Sequence, residues 1–413
     1  MSGSPAAPVT TTWNPPAQLA ATWRFLGVVL VTYAGCRLVS GILLAVVATR
    51  QVPTGWTGPH VDYLTFTAQW DGQWYQHIAE DGYPKRLPTN ENGLVQQNAW
   101  AFYPLFPFVS RLLMDLTHLD FYWVGSTLSL VLGFVAAGAM ALLLRDRIGE
   151  RFTVASVALW ASLPAAVVLQ VGYTEAMAMA LLTLFLLALS KERWLWALLL
   201  ALLLGLTRPI AAPLAAVTVV ALWCRWRERR ERPLTLAEIA AGVGALAGCC
   251  ISGLLWPAIA GAVTGQSNAY TVTMASWRGS GEIVPFAPWL DMSRYYFGQT
   301  WGPVWVTVLF VVLAAMVLGP WATRLGAQLR TWSLAYPLYL FVVLDPFTSI
   351  FRYVIPLFPL APVLIGAGGY PLWRTWRRWV WVRFAVLMVA FVVGQWYWID
   401  VLWRFIPPTD YPP

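Results

Sequence analysis

Residues 122–144, "YWVGSTLSLVLGFVAAGAMALLL", contain no charged side chain. An uninterrupted apolar run of this length has one main structural solution. A helix of roughly 17–25 residues crosses the hydrocarbon core of a bilayer, and it does so with every backbone hydrogen bond satisfied internally. The pattern recurs. Eleven spans are expected, at about 25–49, 122–144, 153–170, 174–190, 194–207, 210–224, 238–263, 301–319, 332–345, 352–369 and 384–403. Composition agrees: 59% of residues are hydrophobic and only 11% are charged, against about 25% charged in soluble domains. The expected class is an all-α integral membrane protein.

Residues 100–118 are ambiguous. Pro104, Pro107, Arg111, Asp115 and His118 favour a helix lying at the interface; a twelfth crossing is the competing reading. Basic residues arbitrate through their enrichment in cytoplasmic loops. With the N-terminus inside and 100–118 not crossing, loops 145–151, 191–193, 225–232, 320–331 and 370–383 together with Arg24 hold 17 of the 27 Lys and Arg residues. Nine fall outside, and Arg37 lies within the first span. A crossing at 100–118 would turn the "RWRERRER" loop outward.

Thirteen of the 19 acids fall on the outer side, although acids contribute little to orientation. The outer face therefore carries the candidate chemistry. The expected organisation is a disordered tail at 1–22, one transmembrane domain at 23–405 with long extracytoplasmic loops at 50–121 and 264–300, and a tail at 406–413. The net charge of +8 is accounted for by basic flanks of spans, so no nucleic-acid partner is expected. Cys36, Cys224, Cys249 and Cys250 all lie in apolar runs and read as small core residues. His60, His77 and His118 do not form a metal set, and neither a Walker A nor a GxGxxG pattern is present.

The polar residues that need a reason are few. Asp71, in "FTAQWDGQWYQHIAEDGYP", is either a solvated loop acid or helix cap, or a general base. Trp70, Trp74 and Tyr75 offer flat faces to a sugar or isoprenoid, or form an interfacial belt. Asp62 is undecided, and Glu80 and Asp81 read as solvated helix-end charges. Glu175 falls in the first turn of an expected helix, where a negative charge is favoured; alternatively it lines a site. Arg208 and Arg352 either snorkel or recognise phosphate, whose oxygens match the guanidinium fork. Arg37, in mid-span, calls for a buried partner, expected to be a carboxylate.

These stretches together resemble the PIG-V family of mannosyltransferases in its bacterial form. The landmarks are Trp70-Asp71, Trp74-Tyr75, Ile78-Ala79 and Gly82-Tyr83, then "AFYPLFP" at 101–107, "YTE" at 173–175, "TRP" at 207–209 and "FRYVIPLFPL" at 351–360. They run in order from about residue 60 to 365. Gln96, Gln97 and Asn98 stand where eukaryotic members carry an acid, so no acidic role is carried over there. The resemblance implies a GT-C-type bundle whose long first loop carries short interfacial helices. It also implies polyprenyl phosphomannose as donor, inversion to an α-mannoside, and an extracytoplasmic site.

The resulting expectation makes Asp71 the base and Arg208 and Arg352 the cations facing the leaving phosphate. Tyr173, Glu175 and Tyr353 position sugar hydroxyls. Trp70, Trp74, Tyr75 and Tyr103 complete the substrate-binding set. No metal or other cofactor is expected; the partners are the lipid-linked donor, membrane lipids and a glycolipid, lipoglycan or protein acceptor. The competing class is a lipid or solute transporter, which would place polar residues at mid-depth in several spans, where only Arg37 stands out. A third reading is an assembly partner of an envelope complex with a decayed site.

Overall fold

The computed structural model describes residues 15–54, 57–278, 284–369 and 376–408. The outermost parts of both expected tails, 1–14 and 409–413, lie outside the described residues, as do 279–283 and 370–375 of two expected loops. Among the described residues the elements are helical, with no strand beyond isolated bridges. They run α1 Pro15–Ala48, α2 Tyr63–Thr67, α3 Asp71–Asp81, α4 Leu105–Thr117, α5 Phe121–Ile148, α6 Glu150–Ala161, α7 Glu175–Ser190 and α8 Trp194–Gly205. There follow α9 Ala211–Arg227, α10 Leu236–Thr264, α11 Ala269–Arg278, α12 Ala287–Leu318, α13 Gly326–Val343, α14 Ile350–Tyr353, α15 Leu360–Ile365 and α16 Trp376–Trp398. Residues 15–22 are helix rather than tail.

Among the described residues, 5 helices are long and apolar enough to cross a membrane: α1, α5, α10, α12 and α16 with its π-helical extension to Trp403. The protein is an all-α, membrane-embedded chain. Two of the eleven expected spans are not continuous helices. Residues 153–170 split into α6 and a 3-10 turn at Ala166–Gln170. Residues 352–369 split into α14, a 3-10 turn at Ile355–Leu357 and α15. Proline is the cause: Pro164 in the first case, and Pro356, Pro359 and Pro362 in the second, each lacking the N–H that a continuing helix needs. These segments are apolar because they are buried in protein. Val157, Leu159, Val167, Val168 and Leu169 are fully enclosed, whereas α12 buries only 11% of its apolar window. α4, at 13 residues, is about 20 Å long, shorter than the roughly 30 Å hydrocarbon core of a bilayer. In α12 the helical backbone breaks at Gly298 (φ 81), close to where the span was expected to begin.

The bundle has two chemically distinct ends. α7 runs from Glu175 to Ser190, about 24 Å. Just beyond its far end Lys191 pairs with Asp146 at 3.7 Å. Nearby, Glu192 meets Arg225 at 3.5 Å and Arg232 at 2.7 Å, and Arg225 also holds Glu238 at 2.6 Å. Arg147 Nε donates to Leu325 O at 3.0 Å at the start of α13. The loops 145–151, 191–193, 225–232 and 320–331 thus gather at one end, and Glu175 lies at the other.

α8 and α10 pack backbone to backbone. A Cβ on Gly205 would lie 2.5 Å from Ser252 O and 2.7 Å from Ser252 Cα. Gly205→Ala is therefore expected to destabilise the bundle by about 1–3 kcal/mol, the usual range for overpacking, read as a lowered unfolding temperature in detergent.

Arg37 corrects one expectation. Its partners are backbone carbonyls rather than a carboxylate: its two terminal nitrogens donate to Ala161 O and Ala166 O. These carbonyls flank the break between α6 and the 3-10 turn, one at the last residue of α6 and one at the first of the turn, where the helix ladder no longer supplies donors. Arg37→Met leaves both oxygens buried without that donor, and a loss of about 1–3 kcal/mol for each unsatisfied group is expected. Thermal unfolding of the variant checks this.

Candidate active site

The site is built around the entry to α3. Asp62 caps α2: its Oδ1 accepts from Thr65 N–H at 2.8 Å in a reciprocal capping box. The undecided acid thus has a structural role as a helix cap. The chain then turns sharply at Trp70, whose backbone (φ 57, ψ −120) lies in a region that disfavours bulky side chains. Such a conformation costs of order 1–3 kcal/mol and persists where its surroundings over-determine it. They do so here. Trp70 Nε1 donates to Trp403 O at 2.7 Å, and Trp403 Nε1 donates to Phe66 O at 3.0 Å. The Trp70 ring also meets Phe405 edge-on. Tyr173 completes the clamp: its hydroxyl accepts from Asp71 N–H at 3.1 Å and donates to Gln69 O at 3.3 Å.

The strained turn delivers Asp71 as the first residue of α3. Its carboxylate does not cap its own helix. Instead Asp71 Oδ2 accepts from Arg352 at 2.7 Å. The same Arg352 nitrogen lies 3.2 Å from Glu175 Oε1, and the other terminal nitrogen donates to Ser349 Oγ at 3.1 Å. Glu175 Oε1 also pairs with Arg208. The result is a chain of alternating charge, Asp71–Arg352–Glu175–Arg208, with no net charge. Both acids stand in the first turn of their helices, where the macrodipole favours them.

Accessibility ranks these groups. The Glu175 side chain is 4% exposed and that of Arg352 7%, whereas that of Asp71 is 24% exposed. No hydrogen bond engages Asp71 Oδ1 among the described residues, so Asp71 is the open end of the chain. Burial alone would lower the pKa of Arg208, but the Glu175 carboxylate and the neighbouring Tyr353, Tyr75 and Tyr336 together outweigh it and the value is raised. Burial, followed by the negative charge of Asp71, holds the Tyr173 hydroxyl well above its usual value. Tyr173 therefore keeps its proton, and its hydrogen bond to Gln69, throughout the working pH range. The Arg352 guanidinium lies 5.1 Å from the centre of the Tyr173 ring, and that of Arg208 lies 5.4 Å from the centre of the Tyr353 ring.

Asp71, Tyr173, Glu175, Arg208, Arg352 and Tyr353 come together. The aromatic candidates divide. Trp74 is half-buried, stacked on Phe102 at 5.5 Å and edge-on to Trp277 at 5.3 Å. Trp70 and Tyr75 are buried and hold the scaffold instead of presenting open faces. The Tyr75 hydroxyl is 3.3 Å from Thr174 Oγ1. Tyr103 packs in a separate cluster against Trp256, its hydroxyl 3.1 Å from that of Tyr270. Arg208 and Arg352, expected as phosphate-facing cations, are each already paired with a carboxylate.

Sequence reasoning missed Trp403, which locks the Trp70 turn, Ser349, which braces Arg352, and Trp277, which brings the second long loop against the first. Asn98 joins the same contact, donating to Thr273 Oγ1 at 3.1 Å. Only Ser349 left a sequence signal, a hydroxyl three residues before an arginine. Trp403 and Trp277 are two of 26 tryptophans with nothing local to distinguish them. A scan of protein-family models and a search of curated proteins gave no match to this chain.

Proposed function

We propose that the chain is an inverting glycosyltransferase of GT-C type, moving mannose from polyprenyl phosphomannose to an acceptor hydroxyl at the extracytoplasmic membrane face. The observation that carries this reading is the convergence of residues 71, 173–175, 208 and 352–353 on one partly open carboxylate. In this reaction the acceptor oxygen attacks C1 of the mannosyl phosphate from the face opposite the leaving group. The C1–O bond to phosphate breaks, and the acceptor proton passes to Asp71 Oδ1, the oxygen not engaged by Arg352.

The charge chain suits such a step. Before reaction two carboxylates balance two guanidiniums. Protonation of Asp71 removes one negative charge, and Arg352 then shares only Glu175 with Arg208. One unit of positive charge develops as the departing polyprenyl phosphate gains negative charge. Preorganised charge of this kind stabilises transition states without reorganisation at the moment of reaction. The donor sugar comes from the family resemblance, and the acceptor class stays broad: glycolipid, lipoglycan or protein.

The test uses purified protein, labelled polyprenyl phosphomannose and a panel of envelope acceptors, with mass analysis of products. A product heavier by one mannosyl unit is expected. Uptake of solute or lipid into vesicles with no covalent product would replace this reading with transport.

A further inference from the structure

An open cleft of about 330 Å³ runs along the flank of α3 and is lined in part by Trp74, His77, Asp81, Tyr83, Gln97 and Asn98. It lies within the roughly 300–1,000 Å³ range of small-molecule pockets. We infer that this cleft binds a neutral carbohydrate and serves as the acceptor glycan subsite. The acceptor role rests on the glycosyl-transfer reading; the binding chemistry does not.

The lining selects for this ligand class. No Lys or Arg is among its residues, and it includes a carboxylate, so an anion such as a phosphate or nucleotide is disfavoured. Aromatic residues sit beside groups that donate and accept hydrogen bonds, the pairing that a pyranose requires with its apolar faces and equatorial hydroxyls. Trp74 is fixed by Phe102 and Trp277, and Tyr83 is fixed by its hydroxyl on Phe102 O at 2.9 Å. Held rings lose little freedom on binding. His77 Nδ1 and Asp81 Oδ2 are 2.9 Å apart, with side chains 58% and 66% exposed. They form a solvated polar edge that can exchange water for sugar hydroxyls. The exposed Gln97 amide makes no hydrogen bond among the described residues and offers both a donor and an acceptor.

Position connects the cleft to the proposed base. Trp74 lies three residues after Asp71 and Asp81 ten, so the cleft extends over roughly 4–15 Å of helix axis from the base, at 1.5 Å per residue. Three residues correspond to 300° of rotation, which places Trp74 on the face adjoining Asp71. A glycan lying in the cleft with its growing end toward Trp74 would present a hydroxyl on the side of Asp71.

The experiment titrates methyl α-mannoside and a linear α-mannose oligosaccharide into purified full-length protein, read by saturation-transfer NMR. Wild-type, Asp81→Ala and Gln97→Ala proteins are compared, and the exposure of both side chains leaves the fold intact. Saturable binding by wild type, weakened at least about tenfold in both variants, is expected. No saturable binding, or equal affinity in all three proteins, overturns the inference. Acceptor KM in the transfer assay separates the two readings. Transfer with an unchanged acceptor KM in both variants overturns the subsite while leaving the transferase. Binding that depends on Asp81 and Gln97 without any transfer supports the carbohydrate site and overturns its acceptor role.

Discussion

Asp71→Asn is expected to lower mannosyl transfer by about 10²–10⁴-fold, the range that a positioned general base supplies, while the protein stays folded. The substitution preserves shape. Asparagine still offers a carbonyl oxygen to Arg352, and Arg352 keeps Glu175 as its charged partner. Tyr173 still accepts from the backbone N–H of residue 71, so the strained turn at Trp70 is unaffected. What disappears is the proton-accepting oxygen; the net positive charge that the wild-type site gains only as Asp71 is protonated is instead present throughout. Product formation is measured beside a gel-filtration profile and an unfolding curve. Transfer near the wild-type rate in a folded Asp71→Asn protein would remove Asp71 from the role of base.

Glu175→Gln should have the largest effect on stability. Glu175 Oε1 is shared by Arg208 and Arg352, and its loss leaves two largely buried guanidiniums with Asp71 as their only carboxylate in the chain. Removing one member of a buried ion pair typically costs about 3–5 kcal/mol. The double variant Glu175→Gln/Arg208→Gln restores neutrality, with Asp71 and Arg352 still paired. Its loss of stability is expected to fall short of the sum of the single losses by about 0.5–3 kcal/mol, the coupling seen for contacting residues. Strict additivity in unfolding measurements would mean that the charges do not act as one network.

The two predictions separate roles that the residues share on paper. Asp71 is partly open and has a free oxygen, so its removal strikes chemistry. Glu175 is enclosed, so its removal strikes the assembly that aims Asp71. A site in which both substitutions merely destabilised the protein would favour a structural charge cluster.

Much of this site was legible in the sequence because charge is conspicuous in so apolar a chain. Asp71, Glu175, Arg208 and Arg352 each stood out as polar residues needing a reason, and all four meet. Aromatic residues carried no such contrast. Trp70 and Tyr75 proved to be buried scaffold and Tyr103 belongs to another cluster, because an aromatic side chain suits a core, an interface or a binding surface equally well. Arg37 was rightly expected to need a partner, but backbone carbonyls on either side of a helix break took that place for its two terminal nitrogens.

Apolar length and scarcity of charge fixed the all-helical, membrane-embedded class of this protein without reference to its fold. They also marked which few residues had to be explained. Two matters were decided only in three dimensions. One is which apolar segments form long exposed helices: 153–170 and 352–369 read as spans yet are proline-broken and packed in protein, since hydropathy records removal from water and not what replaces it. The other is partnership. Arg352 stands 281 residues from Asp71, and no local pattern specifies such a pair. It forms because helices packed for their apolar faces bring the two charges into a low-dielectric site, where each needs the other.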